Sequence, residues 1–427
     1  MEGPMSDSPV GHTTVVHGAR ELVVGPAGRG PDSGPTADLE TIEDGAFAAE
    51  DGVIVAVGPT DDVIRDYPPE NADTAIEATG KTILPGFVDP HTHALFAGDR
   101  SDEFGAKLRG KTYQDILADG GGILRTVRAV RQVDDETLRA NLREHLDVML
   151  AHGTTTVEVK SGYGLDVETE LRLLDAIATV GDDHPVDVVP TFMGAHAVPE
   201  NQETDEYVDE VVEAQLPAVA EQGIAEFCDV FCEAGVFDVE QSRRILETGL
   251  EFGLAPKLHA DEFERLGGSQ LAVEVGATSA DHLLQASDED VLAIATSDVT
   301  PVMLPGTAFG LGAEYADAAA FRQVGADVAL ATDFNPNCFA RSQGFTATLA
   351  CVGMGLPPAA AVAGITRHAA AALARDDRGV LRDGAKADAV VLDAPSHVHL
   401  PYRFDTNPVE RVLKDGRLVV DGVADSD

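Results

Sequence analysis

Short apolar runs of strand length recur through the middle of the chain, and the stretches between them repeat their apolar positions with helical period. Residues 154–159, 186–190, 227–231, 256–258, 277–281 and 327–331 predict strands. Residues 134–151, 167–180, 204–222 and 239–252 predict helices with a polar outer stripe. Six or more such strand-then-helix units between residues 86 and 375 suit a (β/α)8 barrel better than two Rossmann halves. No G-x-G-x-x-G joins a strand to a helix, which counts against a dinucleotide fold.

The two ends differ from the middle. Residues 13–16, 21–24 and 45–58 predict strands, the last with a turn at Asp51-Gly52. Residues 387–392 form another apolar run, and 409–413, Asp415-Gly416 and 417–420 predict a hairpin. Residues 1–12 and the Gly/Pro-rich stretch 25–35 predict a tail and a loop. The 427 residues accommodate one large domain and a smaller one.

Charge changes the picture more than composition does. Against 74 Asp and Glu stand 30 Lys and Arg, a net charge of −44, and only seven of the cations are Lys. Nucleic acid and anionic membranes repel such a chain. The acids are dispersed rather than gathered in a tail, which is the habit of proteins from salt-loving microbes, so the charge speaks to habitat and not to substrate. Four cysteines, none in a C-x-x-C pair, fit a reducing cytoplasm. No secretory signal and no apolar run of about 18 residues is visible.

Barrel enzymes carry their reactive groups where strands end. His91 and His93 follow an apolar strand in Gly-Phe-Val-Asp-Pro-His-Thr-His (86–93), and residues i and i+2 of a strand face one side, where two imidazoles can share a metal ion. Three later run ends carry His259, His282 and Asp333. Any one of these alone is more often a hydrogen-bonded structural residue. Together they supply a His and Asp donor set that suits zinc or non-haem iron with a position left for water.

With these residues the chain resembles the amidohydrolase superfamily, which implies a metal-binding barrel with a small β-sandwich domain formed from both chain ends. The expected division is a disordered tail at 1–12, a composite sandwich of 13–85 plus 376–427, and a barrel of 86–375. Thr92 to Arg100, Glu158-Val-Lys-Ser-Gly-Tyr163-Gly, Gly194-Ala-His196-Ala-Val-Pro, His259-Ala-Asp-Glu262-Phe and Ala331-Thr-Asp-Phe-Asn335-Pro are similar to the imidazolonepropionase family of histidine degradation. The resemblance covers about residues 51–416 and implies hydrolysis of the ring amide of 4-imidazolone-5-propanoate to N-formimidoyl-L-glutamate. It implies one Zn2+ or Fe3+ per chain on His91, His93, His259 and Asp333, and a homodimer is common for the architecture. The implied substrate contacts are Arg100, Tyr163, His196, Glu262 and Asn335, with His282 near the attacking water. Where the family continues Asp-Phe-Asn-Pro-Gly-Ser, this chain has Asn337-Cys338, and backbone contacts at Asn337 survive that change more easily than a hydroxyl contact at Cys338.

The residues allow the same roles. A leaving ring nitrogen needs a proton, for which Glu262 or His282 is suitable. A propanoate needs a cation, and the Arg100 guanidinium matches it fork to fork. Tyr163, between two glycines, suits a mobile loop tip as well as a binding group, and Asp281 is placed to orient its neighbour His282. Lys160 ends an apolar run, as do the carboxylated lysines that bridge two metals in some amidohydrolases, but the pattern around it favours a single metal. Gly120-Gly-Gly122 lacks the Lys-Ser/Thr of a phosphate loop and predicts a flexible loop over the site. The competing readings are a purine or pyrimidine aminohydrolase, which has no use for Arg100, and a catalytically dead binding protein, which predicts a lost ligand.

Overall fold

A computed structural model describes residues 11–27, 39–111, 115–116 and 119–422, and two eight-stranded sheets organise it. Most of the expected tail and of the 25–35 loop lies outside the described residues. The strands are β1 (Thr13–Pro26), β2 (Leu39–Glu50), β3 (Val53–Pro59), β4 (Thr74–Glu77) and β5 (Thr82–Pro85), then β6 (Phe87–Asp89), β7 (Thr154–Lys160) and β8 (Asp187–Ala195). They continue with β9 (Phe227–Cys232), β10 (Ala255–Ala260), β11 (Ser279–His282), β12 (Thr300–Met303), β13 (Ala329–Leu330), β14 (Ala389–Leu392), β15 (Val409–Lys414) and β16 (Arg417–Asp421).

Strands β6 to β13 pair in parallel, each with the next, as the strand-helix alternation predicts. The ring draws together just beyond β6 and β13, where His93 N–H donates to Phe334 O at 2.9 Å and Asp333 N–H to His91 O at 3.2 Å. The seam therefore falls at three of the expected ligands, His91, His93 and Asp333. Each of the six apolar runs holds a strand, and β6 is the apolar strand expected before His91, whereas the four-residue β12 lies outside the expected runs.

The expected helices begin where a side chain caps them. Asp134 accepts from Thr137 N–H and Asp166 from Thr169 N–H, while Asp238 and Gln241 satisfy each other reciprocally. The 204–222 segment is not one α-helix: Thr204–Glu210 passes into a π-turn at Val211–Gln215 before Leu216–Gln222. Pro217 has no N–H to continue the ladder, which loosens the preceding turn. Leu142, Leu146, Ile177 and Leu246 from these helices are fully buried, each contributing about 1.5–3 kcal/mol.

The second sheet runs β16-β15-β14-β5-β1-β2-β3, with β4 paired in parallel to β1 off this path, so the chain ends join through the antiparallel β14–β5 pair. The runs 13–16 and 21–24 form one strand with an irregular register between Val16 and Ala19, where Gly18 takes φ 73°. Both expected Asp-Gly turns have φ > 0 at each residue, Asp51-Gly52 and Asp415-Gly416 alike. Val16, Leu22, Phe47, Ile54, Val391 and Leu413 give this sheet a core of its own. It is tied to the start of β8 by charge: Lys414 Nζ lies 3.0 Å from Asp388 and 3.1 Å from Asp187, and Arg378 donates to Asp187 at 2.6 Å. That leaves the opposite ends of the barrel strands to carry the chemistry. No helix among the described residues is long and apolar enough to cross a membrane.

Candidate active site

His91 and His93 leave β6 on the same side, as their i, i+2 spacing predicts, and His259 and His282 lie at the ends of β10 and β11. Asp333 follows β13. The carboxylate of Asp89 accepts from Thr332 N–H and Oγ1 at 3.1 and 2.7 Å, locking the two sides of the barrel seam together. Asp333 Oδ1 is then 3.6 Å from His91 Nε2 and 3.7 Å from His93 Nε2, and His93 Nε2 is 3.4 Å from His259 Nε2. A tetrahedral ion with bonds of about 2.0–2.1 Å holds its donor atoms roughly 3.4 Å apart. His91 Nε2 is buried with no hydrogen-bond partner among the described residues, the condition a bound cation relieves. Burial first, then Lys160 for His91 and His196 for His93, pushes both imidazoles well below their usual pKa, so they are neutral and free to ligate. Donor type and spacing thus fit one metal ion.

Carboxylates orient these rings from behind. Asp281 Oδ2 lies 2.6 Å from His91 Nδ1, and Asp229 Oδ1 lies 2.9 Å from His259 Nδ1. The expected pairing of Asp281 with His282 is not what forms: successive residues of a strand face opposite sides, and His282 Nδ1 has no hydrogen-bond partner among the described residues. Asp229 escaped notice in the sequence, although an acid inside the apolar run Phe-Cys-Asp-Val-Phe is itself a signal.

Lys160 is fully buried, with Nζ 2.6 Å from Asp229 and 2.7 Å from Glu158. Burial opposes its charge, but Asp229, Glu158 and Asp281 outweigh that and raise its pKa. Carboxylation needs a free amine, and this ammonium is held charged between two carboxylates. Thr307 Oγ1 donates to Asp333 Oδ2, holding that carboxylate from its far side.

Glu262 and His282 face one another with Oε2 and Nε2 3.6 Å apart. Burial, followed by the nearby Asp333 and Glu233, pushes the Glu262 carboxyl well above its usual range, and burial pushes His282 well below its own. Burial thus favours the protonated form of Glu262 and the neutral form of His282.

His196 stacks on His93 with ring centroids 4.7 Å apart, and Tyr163 lies 5.2 Å from His196. Tyr163 is buried rather than a loop tip. Glu170 accepts from the N–H groups of Gly162, Gly164 and Leu165 at 3.0, 2.7 and 2.9 Å and so draws the loop inward. Gly162 has φ 89°, and a Cβ there would come within 3.0 Å of His196 Nδ1.

Arg100 is buried at the start of the helix Ser101–Leu108. Lys107 lies close enough that, after burial, the Arg100 charge lowers the Lys107 pKa, and its Nζ donates to Asn337 Oδ1 at 2.9 Å. Seven residues from Arg100 along the helix, Lys107 was a second cation that helical spacing alone could have marked. Asn335 spends its side-chain amide locally, donating to Asp333 O and accepting from Asn337 N–H and Cys338 N–H. The Cys338 thiol is buried, 3.6 Å from Thr332 O, and burial pushes it up to about 12. It faces the chain beneath it instead of offering a surface hydroxyl's contact.

The model of the amidohydrolase family matches residues 97–420. An imidazolonepropionase of Haloarcula marismortui is 66% identical over 406 residues, 95% of each chain. One of Halobacterium salinarum is 64% identical over 96% of this chain and 98% of its own, and one of Geobacillus kaustophilus is 47% identical over 90% and 92%. Among solved structures, a zinc-bound adenosine deaminase of Xanthomonas campestris superposes with a TM-score of 0.73 at 19% identity, covering 97% of this chain and 94% of that one. A zinc complex of atrazine chlorohydrolase from Arthrobacter aurescens gives 0.72 at 17%, covering 97% of each. At such identities these two speak to the fold alone, whereas the family match and the full-length relatives place the chain in the amidohydrolase family, among its imidazolonepropionases.

Proposed function

We propose that the chain hydrolyses the ring amide C–N bond of 4-imidazolone-5-propanoate to N-formimidoyl-L-glutamate, in histidine degradation. Its full-length identity to imidazolonepropionases, 66% in the Haloarcula protein, carries this reading. His91, His93, His259 and Asp333 would hold one Zn2+ or Fe3+, since nitrogen and carboxylate donors accept either. When bound, the ion supplies a hydroxide at neutral pH by lowering the pKa of a water towards about 7. His282, whose burial favours the neutral imidazole, is suited to take the proton of the attacking water, and Glu262, whose burial favours the protonated carboxyl, to give one to the ring nitrogen as the C–N bond breaks. Tyr163 and His196 frame the ring, Arg100 takes the propanoate, and Asn335 shapes the turn through Asn337 and Cys338.

The same reading divides the chain into a composite sandwich of 13–85 and 376–427 and a barrel of 86–375, supported by the separation of the strands into one sheet of β1–β5 with β14–β16 and another of β6–β13. It includes a small-molecule substrate, a homodimer, and a cytoplasmic site, which four free cysteines suit. An aminohydrolase acting on a neutral base shares the fold but has no group for the buried Arg100.

Ring opening of imidazolone propanoate by metal-replete protein, beside a panel of cyclic ureides and aminopyrimidines, tests the function. Arg100→Ala should cost about 2–5 kcal/mol with the propanoate substrate and little with a matched imidazolone lacking that arm. Turnover confined to the aminopyrimidines would overturn the reading.

A further inference from the structure

Glu103, which neither the motifs nor the family resemblance singled out, is buried in a strongly acidic chain whose acids otherwise favour the surface. One of its oxygens, Oε2, accepts from Arg100 Nε at 2.9 Å and lies 2.8 Å from Arg100 Nη2. A single oxygen thus grips one edge of the guanidinium. Among the described residues no hydrogen bond engages the other edge, formed by Nη1 and the second Nη2 hydrogen, which suits a two-pronged partner. The second oxygen, Oε1, accepts from Gly122 N–H at 3.1 Å and has Arg125 Nη1 at 3.6 Å.

The glycine run is built around this carboxylate. Gly122 has φ 75° and ψ −160°, a conformation that L side chains avoid. A Cβ on Gly121 would meet Glu103 Oε1 at 2.8 Å and Ile116 O at 2.9 Å. Arg128 donates to Gly120 O and fastens the run from its other side. The helix starting at Arg100 and the helix starting after Gly122 therefore meet at one carboxylate.

From this geometry we infer that Glu103 is a positioning residue: it sets the Arg100 guanidinium at the angle that a substrate carboxylate requires and ties that angle to the Gly120–Gly122 turn. The inference rests on the proposed role of Arg100 as the carboxylate-binding group. It accounts for the three glycines as a close seat for Glu103, where a phosphate cradle would need a following lysine. A charge-assisted contact of this kind carries its effect through the ligand that Arg100 binds.

The test is a double-mutant cycle on the metal-replete enzyme, with Glu103→Gln, Arg100→Ala and the pair, read on the propanoate substrate and on a matched imidazolone without the arm. Glu103→Gln should raise KM for the propanoate substrate roughly 10- to 100-fold and leave kcat within about threefold. It should change little on the armless ring, and nothing further once Arg100 is alanine. Equal losses on both substrates, or additive losses in the pair, overturn the positioning role and leave Glu103 a structural residue. A KM raised by Arg100→Ala but untouched by Glu103→Gln also overturns it, with the role of Arg100 intact. If Arg100→Ala itself leaves KM unchanged, the carboxylate-binding role fails first and the inference fails with it. Should Glu103→Gln not fold, Gly122→Ala reads the coupling from the other side: KM must rise selectively with the propanoate substrate, and an unchanged or unselective KM refutes the link.

Discussion

His91 Nδ1 and Asp281 Oδ2 lie 2.6 Å apart with both side chains fully buried, so the first imidazole of the His91–His93 pair is aimed from a strand 190 residues further along the chain. The carboxylate fixes the ring's tautomer and leaves Nε2 to face the site. Asp281→Asn should keep the fold and weaken metal retention about 10- to 100-fold, as measured by competition with a calibrated chelator. Retention equal to that of the wild type would remove Asp281 from the site's support.

His259→Ala should empty the centre and abolish turnover while circular dichroism still reports a folded barrel. Elemental analysis of the wild type should give one metal per chain, because Lys160 is held as an ammonium by Asp229 and Glu158. Two metals per chain, or full activity after exhaustive chelation, would contradict the single-ion site.

Removing Lys160 should be costly for a different reason. Lys160→Met leaves Asp229 and Glu158 buried without their counter-charge, a change that typically costs about 3–5 kcal/mol. Denaturant titration of the variant reads this directly, and a loss below about 1 kcal/mol would mean that water or Lys257 takes over the pairing.

The junction between the two sheets carries a pH dependence. Burial would raise the Asp187 carboxyl, but Lys414, Arg378 and Lys386 hold it below the usual range. A carboxyl depressed in the folded state contributes stability above its unfolded value, near 3.9, and loses that contribution as pH falls through the folded value. Asp187→Asn should therefore be less stable than wild type at pH 7, with the gap closing below about pH 4 at fixed salt. Urea midpoints across that range decide it, and a gap that widens in acid would reverse the assigned sign.

The net charge of −44 predicts a salt requirement, since dispersed carboxylates repel one another unless screened. The thermal midpoint should rise from dilute to molar potassium chloride. A midpoint highest in dilute buffer would detach the charge from a saline habitat.

Local patterning in the sequence determined the barrel, the capped helices and the two Asp-Gly hairpins, because each depends on residues within a few positions of one another. It also marked His91, His93, His259, His282 and Asp333, because ligand-type residues at the ends of apolar runs stand out against their neighbours. Partner choice was another matter. Asp281 sits beside His282 in the chain but binds His91, since neighbouring strand residues face opposite ways and the closed barrel presents another strand to each side. Tyr163 became a buried group only when Glu170 gathered the loop's N–H groups, and Glu103 acquired its meaning from Arg100 and Gly122 together. Short-range spacing records which way a side chain points; which group it meets there is decided by parts of the chain that only the closed fold brings within hydrogen-bond distance.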